Sequence, residues 1–525
     1  MMKGIKNTIK QQTAIVNTAD AVNHEGAPAW TKPDRELLHQ YALVGVLGNS
    51  FYASQTAVVD EATKLLQRCS PEDIAREIVI GRNEGFIRSF PILGLVELSK
   101  KSPELFKEAF PQVIKTGNDL GDFIALCRAQ RGLGRAIKTA LTTWLIANAK
   151  PYYAQKYRHQ LADAARLVRL NGDVDPIWGY IFACYSDRLK GWTPAKLQAA
   201  LDKYEELSAH DRFIDAITSG QPVKAVEILR NYSIDVDSLT AYYAKFDATI
   251  WKEIARQTPV MRFLKYLDKF DREHVFDKGI ELVEQKITVD NLKKAKVFPF
   301  RVFAAYSALS KEAYRSISTE EVRDYLAGVL DDYVTGYNWG VFNKFSWCIC
   351  PDVSGSMRCE CSGTLRYRDV AGMFAAMFRK GLSNGQVIPW SDEVFQMPGN
   401  KHDSIVSQMM GLGKLDGGTD MTCALRHAIS HNIRSDFFVF ITDSEEYGIR
   451  RWGSDGVWVD AWRDYRRRMN PNSQAFILRL DPYVTNPFPE DQAEKLGIYP
   501  VYGWNDNVIK FIEYVVAQRA STEKL

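Results

Sequence analysis

Near Gly336 to Gly340 the spacing of apolar residues changes, and that change decides what the chain can fold into. From about Lys32 to Val334 apolar side chains recur three and four residues apart, as in Arg35 to Leu47 and Ile137 to Ala149, the period that gives a helix one buried face. After Gly340 they gather in short runs, Phe345 to Cys350, Phe437 to Ile441 and Ala475 to Leu480, with amphipathic stretches between them at Asp369 to Lys380, Cys423 to His431 and Asn507 to Ala517. Short apolar runs alternating with helices are what a parallel sheet covered on both faces requires, because each strand is buried on two sides. The expected architecture is therefore α followed by α/β. A helical part occupies 1–340, and a doubly wound, Rossmann-like domain occupies 341–525.

The helical part is punctuated chemically. Ser70-Pro71, Ser102-Pro103 and Thr193-Pro194 each place an N-capping hydroxyl before proline at the first helical position. Roughly a dozen or more helices joined by short connections favour stacked pairs of the solenoid type over one bundle, although no clean repeat period stands out. With 46% hydrophobic and 25% charged residues, the composition excludes a disordered chain. Lys+Arg 67 against Asp+Glu 64 gives +3, so any anion-binding face must be local. The amino terminus lacks the apolar core of a signal peptide, and no run approaches the roughly 18 apolar residues of a membrane span. Eight thinly spread cysteines suit reduced thiols. These features lead to the expectation of a soluble, cytoplasmic protein without membrane contact.

One run carries most of the chemistry. Cys350-Pro351-Asp352-Val353-Ser354-Gly355-Ser356-Met357 leaves the first strand of the α/β domain, and ligands of such sheets collect at the carboxyl ends of strands. Asp352, Ser354 and Ser356 offer one carboxylate and two hydroxyls at alternate positions, hard oxygen ligands that suit Mg²⁺. Gly417-Gly418-Thr419-Asp420 adds a hydroxyl on a tight turn, and the strand Phe437 to Ile441 runs on to an acid, Asp443. The same residue types also cap helices, which is the competing assignment.

In the helical half, Arg128, Arg131, Arg135 and Lys138 stand three, four and three apart, so a continuous helix would put them on one face, while Gly132 and Gly134 fit a turn equally well. Lys156-Tyr157-Arg158-His159 then mixes cations with an aromatic ring, a pairing that contacts phosphates and stacks on bases. A solvated helix face is the alternative. Other motifs lead nowhere. His427 and His431 lack a zincin's glutamate, since Ala428 fills its place, and the Cys348/Cys350 and Cys359/Cys361 pairs lack structural zinc spacing. Gly411-Leu412-Gly413-Lys414-Leu415 lacks the hydroxyl of a phosphate-binding loop. No His or Lys near Asp352 offers a general base, so no enzyme is expected.

The Asp352, Ser354, Ser356, Thr419, Asp443 set resembles the metal-ion-dependent adhesion site of the von Willebrand factor A domain. Ser391-Asp392-Glu393, Thr442-Asp443-Ser444-Glu445 and Tyr465-Arg466-Arg467-Arg468-Met469 resemble the A domain of the Ro ribonucleoprotein family. His24-Glu25-Gly26-Ala27-Pro28-Ala29-Trp30, followed by Val46-Leu47-Gly48-Asn49-Ser50-Phe51-Tyr52, is similar to the opening of that family's TROVE module, with Asn49-Ser50-Phe51 departing from its usual Gly-Thr-Tyr-Tyr. The resemblance implies a HEAT-like helical-repeat ring or solenoid joined to an A domain that binds Mg²⁺ or Mn²⁺. It implies a non-catalytic protein whose partners are noncoding RNA, Y-like or misfolded with single-stranded 3′ ends, and a ribonuclease or other protein at the metal site. It also assigns RNA contacts to Arg128, Arg131, Arg135, Lys138, Lys156, Tyr157, Arg158 and His159, although His159-Gln160-Leu161 runs where the family has Gly-Trp-Ser-His. The alternative function is a protein-assembly adaptor acting through the metal site without RNA.

Overall fold

The structure, a computed structural model, describes residues 19–45, 47, 53–186, 191–309, 317–362, 365–443, 458–504 and 506–522. Val46, the segment Gly48 to Tyr52, and Ser444 and Glu445 of the motifs above lie outside the described residues. Among those described, nineteen α-helices lie between Asp34 and Thr335. The expected caps form: Ser70 and Ser102 accept the backbone N–H groups of Asp73 and Leu105, and Pro71 and Pro103 open the helices Pro71–Asn83 and Pro103–Val113. Consecutive helices pack in pairs, Pro71–Asn83 on Ser89–Lys101 and Glu205–Thr218 on Pro222–Asn231. The array also turns back on itself. Phe86 meets Phe298 edge-on with ring centroids 5.5 Å apart, and Arg262 Nη2 donates to the Tyr152 hydroxyl at 3.1 Å. No described helix is long and apolar enough to cross a membrane.

The carboxy-terminal part holds a five-stranded, all-parallel sheet: β1 (Trp347–Pro351), β2 (Gly385–Val387), β3 (Phe437–Thr442), β4 (Gln474–Arg479) and β5 (Ile498–Tyr502), in the order β5-β4-β3-β1-β2. Side chains alternate between its two faces. Trp347, Ile349, Phe437, Val439, Phe476 and Leu478 pack beneath the helix Tyr367–Gly381, while Cys348, Cys350, Phe438, Phe440 and Ile477 pack beneath Thr422–Ser430 and Trp458–Arg468. The chain leaves β1 toward β2 on one side and returns from β2 to β3 on the other. That reversal opens a crevice at the carboxyl ends of β1 and β3, where the sheet places Asp352 and Asp443.

A boundary at residue 340 marks a change of element type and not a gap in packing. One hydrophobic core runs from Phe213 and Trp251 in the later helices through Leu326 and Leu330 to Phe374 and Phe437 in the α/β domain. The amino-terminal segment also packs on the carboxy-terminal part. Strand Pro28–Thr31 pairs antiparallel with Thr485–Asn486, and Trp30 is buried among Cys348, Trp390 and Phe440, so the segment Ala21–Thr31 completes the α/β domain. Periodicity reports local burial only, and this pairing spans more than 450 residues of chain. Beside it, Lys32 Nζ donates to the Tyr483 carbonyl at 2.9 Å, Gln40 Nε2 to the Asp481 carbonyl at 2.7 Å, and the Tyr502 hydroxyl to Glu36. The two parts are joined by buried, bonded polar groups.

Candidate metal centre and nucleic-acid interface

Three segments meet at the end of β1. Asp352 N donates to the Ile441 carbonyl at 3.0 Å, Val353 N to the Trp390 carbonyl at 2.9 Å, and Gly355 N to the Gly417 carbonyl at 3.1 Å. Ser391 ties the third segment in, because its carbonyl accepts from Asp420 N at 2.9 Å, while Asp392 Oδ1 accepts from Gly418 N at 3.1 Å. Gly417 is required at this crossing, since a Cβ there would collide with the Ser391 hydroxyl and the Asp392 carboxylate. Asp352, Ser354, Ser356, Thr419 and Asp443 are all buried, none more than 5% exposed.

The carboxylate of Asp352 is held on both oxygens. Oδ1 accepts from Ser354 N at 2.8 Å, and Oδ2 accepts from Thr442 Oγ1 at 2.6 Å. Burial pushes its pKa up to about 6, against the pull of Ser354 and Thr442. Ser354 precedes the one-turn 3₁₀ helix Gly355–Arg358, yet its hydroxyl caps no backbone N–H there and lies 3.2 Å from that of Ser356. The capping alternative therefore does not describe Ser354. Asp420 is spent elsewhere, on Thr422 and on Arg426 at 2.6 Å. Among the described residues no group of three or more His, Cys, Asp or Glu could hold a metal. Two carboxylates and three hydroxyls remain here, an all-oxygen set that fits a hard divalent cation and no softer ion.

The basic residues of the helical half divide. Helix Gly117–Gln130 ends before Arg131, Gly132 takes φ +80°, and Arg135–Asn148 starts a new helix, so the turn forms and the continuous helix does not. Arg128, Arg135, Lys138 and His159 are exposed, and Arg131 donates to the Ser99 hydroxyl at 2.7 Å. The other three are internal. Lys156 Nζ lies 2.6 Å from Asp237 and 3.6 Å from Asp235; burial would lower its pKa, but these carboxylates hold it above the ordinary value. Tyr157 is 7% exposed, its ring in the helical core. The Arg158 guanidinium stacks 4.2 Å over Tyr180 and donates to that residue's carbonyl at 2.8 Å. In this arrangement Lys156, Tyr157 and Arg158 tie helices together: acids some 80 residues away neutralise the lysine, the tyrosine ring is buried, and the half-buried arginine is engaged by Tyr180.

The Ro60 vWA domain family matches residues 346–513. Those residues form a Ro60-type A domain. A crystal structure of the Deinococcus radiodurans Ro (RSR) protein superposes with a TM-score of 0.62 at 18% identity, covering 90% of this chain and 97% of that one, so the whole chain has the fold of a Ro protein. No curated protein matches the chain by sequence.

Sequence reading missed a cavity that opens on the surface of this Ro fold. Its volume is about 580 Å³, and its walls include residues 85–89, Asp122, Met261, Lys296, Phe298, Phe300, Arg301, Cys361 and Trp504. Phe86, 50% exposed, stands against Phe298, which stacks on Phe300 at 5.7 Å. Phe86 and Lys296 hold left-handed backbone angles, φ +57° and +52°, which bulky residues adopt at a cost of roughly 1–3 kcal/mol each. Arg88 is paired with Asp119 and Asp122. Lys296 and Arg301 are exposed and have no acidic partner among the described residues; the Arg301 guanidinium lies 5.1 Å from the Phe300 ring. These residues come from two short segments more than 200 positions apart and a few single positions, and their only advance signal is Phe298-Pro299-Phe300-Arg301, a dense aromatic and cationic tetrapeptide.

Proposed function

We propose that this Ro-type chain is a non-catalytic RNA-binding protein that holds the single-stranded ends of structured or misfolded noncoding RNA in the cavity between its helices. The observation carrying this reading is the cavity's chemistry. Two unpaired cations, Lys296 and Arg301, stand beside the exposed ring of Phe86 and the half-buried ring of Phe298, which is the combination that single strands select: phosphates for the cations and π faces for the bases. Duplex RNA hides its base faces, so a wall of this kind discriminates in favour of unpaired ends. The exposed Arg128, Arg135 and Lys138 offer a further set of phosphate contacts on the helical surface.

Asp352, Ser354, Ser356, Thr419 and Asp443 would hold Mg²⁺ or Mn²⁺, with Thr442 fixing the Asp352 carboxylate through its hydroxyl. When bound, the cation supplies an open coordination position for an acidic side chain of a partner such as a ribonuclease. Fluorescence anisotropy at about 150 mM salt tests the RNA reading by comparing a 3′-tailed RNA duplex with the same duplex blunt-ended. Tighter binding of the tailed form is expected. Equal or absent binding of the two would leave the adaptor function, acting through the metal site alone, as the better account.

A further inference from the structure

The cavity wall is not drawn from the helical array alone. Cys361 and Trp504, both of the A domain, line the same space as Phe86, Lys296, Phe298 and Arg301. Trp504 follows β5, remains half-buried, and meets the Tyr367 ring edge-on at 6.4 Å. Cys361 lies on a short hairpin, Glu360–Ser362 with Leu365–Arg366, and its thiol reaches the Leu365 carbonyl at 3.4 Å. That hairpin leaves the metal loop directly, since Cys359 N donates to the Ser356 carbonyl at 3.1 Å and Tyr367 N to the Cys359 carbonyl at 3.0 Å. The partly open ring of Trp504 borders the same space as Lys296 and Arg301, and Asp122, which also lines it, is paired with Arg88, so the wall offers a stacking face beside cations that favour an anionic ligand.

We propose that the RNA site is composite: Trp504 of the A domain stacks on a base of a single-stranded RNA end whose phosphates meet Lys296 and Arg301 of the helical part. RNA is then gripped across the joint, and it stabilises the docking of the two parts by mass action. This rests on the cavity being the RNA site. It also places the RNA five residues along the chain from Ser356, so the metal loop and the RNA wall share one hairpin.

The test uses the full chain and a dye-labelled single-stranded oligouridylate. Trp504→Leu should weaken binding about 5- to 150-fold, the worth of one base stack, and leave the salt slope unchanged because no phosphate contact is lost. Trp504→Phe should restore most of the affinity, which a purely space-filling role would not require. Wild-type affinity in Trp504→Leu, with weakened binding in Phe86→Ala, would overturn the composite site and leave the RNA reading standing. A second measurement needs no variant: photocrosslinking of a 4-thiouridine oligonucleotide to the wild-type chain should yield adducts at Trp504 or within the hairpin that carries Cys361. Adducts confined to the helical part overturn the proposal whatever the variants do, and an oligonucleotide that does not bind at all sinks it together with the RNA reading.

Discussion

Lys296 and Arg301 distinguish this structure from the sequence motif as the source of RNA affinity, and salt dependence reads the difference. Each phosphate contact on a single strand releases condensed counterions worth a slope of about 0.7 in log affinity against log salt. Replacing both residues with alanine should therefore flatten the slope by about 1.4. Over a fourfold rise in salt, from about 50 to about 200 mM, two such contacts account for about a sevenfold loss of affinity, so the variant should lose about sevenfold less than the wild type. Anisotropy titrations with one oligonucleotide at several salt concentrations measure this directly. The control is Lys156→Ala. That lysine is engaged by Asp235 and Asp237, so its removal should leave the slope unchanged and instead destabilise the fold by roughly 1–3 kcal/mol, because Arg262 still pairs with Asp235. A slope that flattens in Lys156→Ala and not in the Lys296/Arg301 variant would refute the reasoning and return the RNA site to the Lys156 to His159 segment.

Three further outcomes follow from the same structure. Asp352→Ala should abolish Mg²⁺ binding in calorimetry; unchanged affinity would show that the five oxygens serve only the loop. Asp119→Ala should cost about 3–5 kcal/mol in urea denaturation, since it strands the largely buried Arg82 (2.9 Å) and leaves Arg88 with Asp122 alone. Although burial raises the Asp119 pKa, both arginines and Thr116 bring it below the usual carboxylate value, so this stabilisation is present above pH about 4 and is lost as pH falls through the lowered value. Glu490 behaves oppositely: burial and the facing Glu36, only partly offset by Lys32 and Arg479, push it up to about 8, so the fold loses stability as pH rises from its ordinary value toward 8. Glu490→Gln should match the wild type below pH about 4 and exceed it by roughly 1–2 kcal/mol near pH 9, after allowance for partial exposure. A gap of the same size at both ends of that range would show that Glu490 does not titrate at this joint.

Much of the A domain was legible because its signals are local. Phe437 to Thr442 is buried on both faces, so every residue of β3 is apolar until the hydroxyl and acid that end it, and Asp352, Ser354 and Ser356 are brought together by the turn they themselves form. The flanking strands β2 and β5 are weaker signals. Gly385–Val387 is only three residues, and Ile498–Tyr502 carries Pro500, as an edge allows. The pairing of Pro28–Thr31 with Thr485–Asn486 left no local trace at all.

The same distinction governs the charges. A basic run in a sequence locates cations but not the acids that neutralise them, and Lys156 looked available only because Asp235 and Asp237 are remote in the chain. Arg158, likewise, is spent on the ring and carbonyl of Tyr180. Lys296 and Arg301 sit in no striped helix face, yet the fold sets them in one cavity wall with aromatic residues and pairs neither with a carboxylate among the described residues. For a chain of nearly neutral total charge, affinity for an anion depends on which cations folding leaves unpaired. Here those cations border a cavity whose walls come from both parts of the molecule, so neither part by itself presents the complete site.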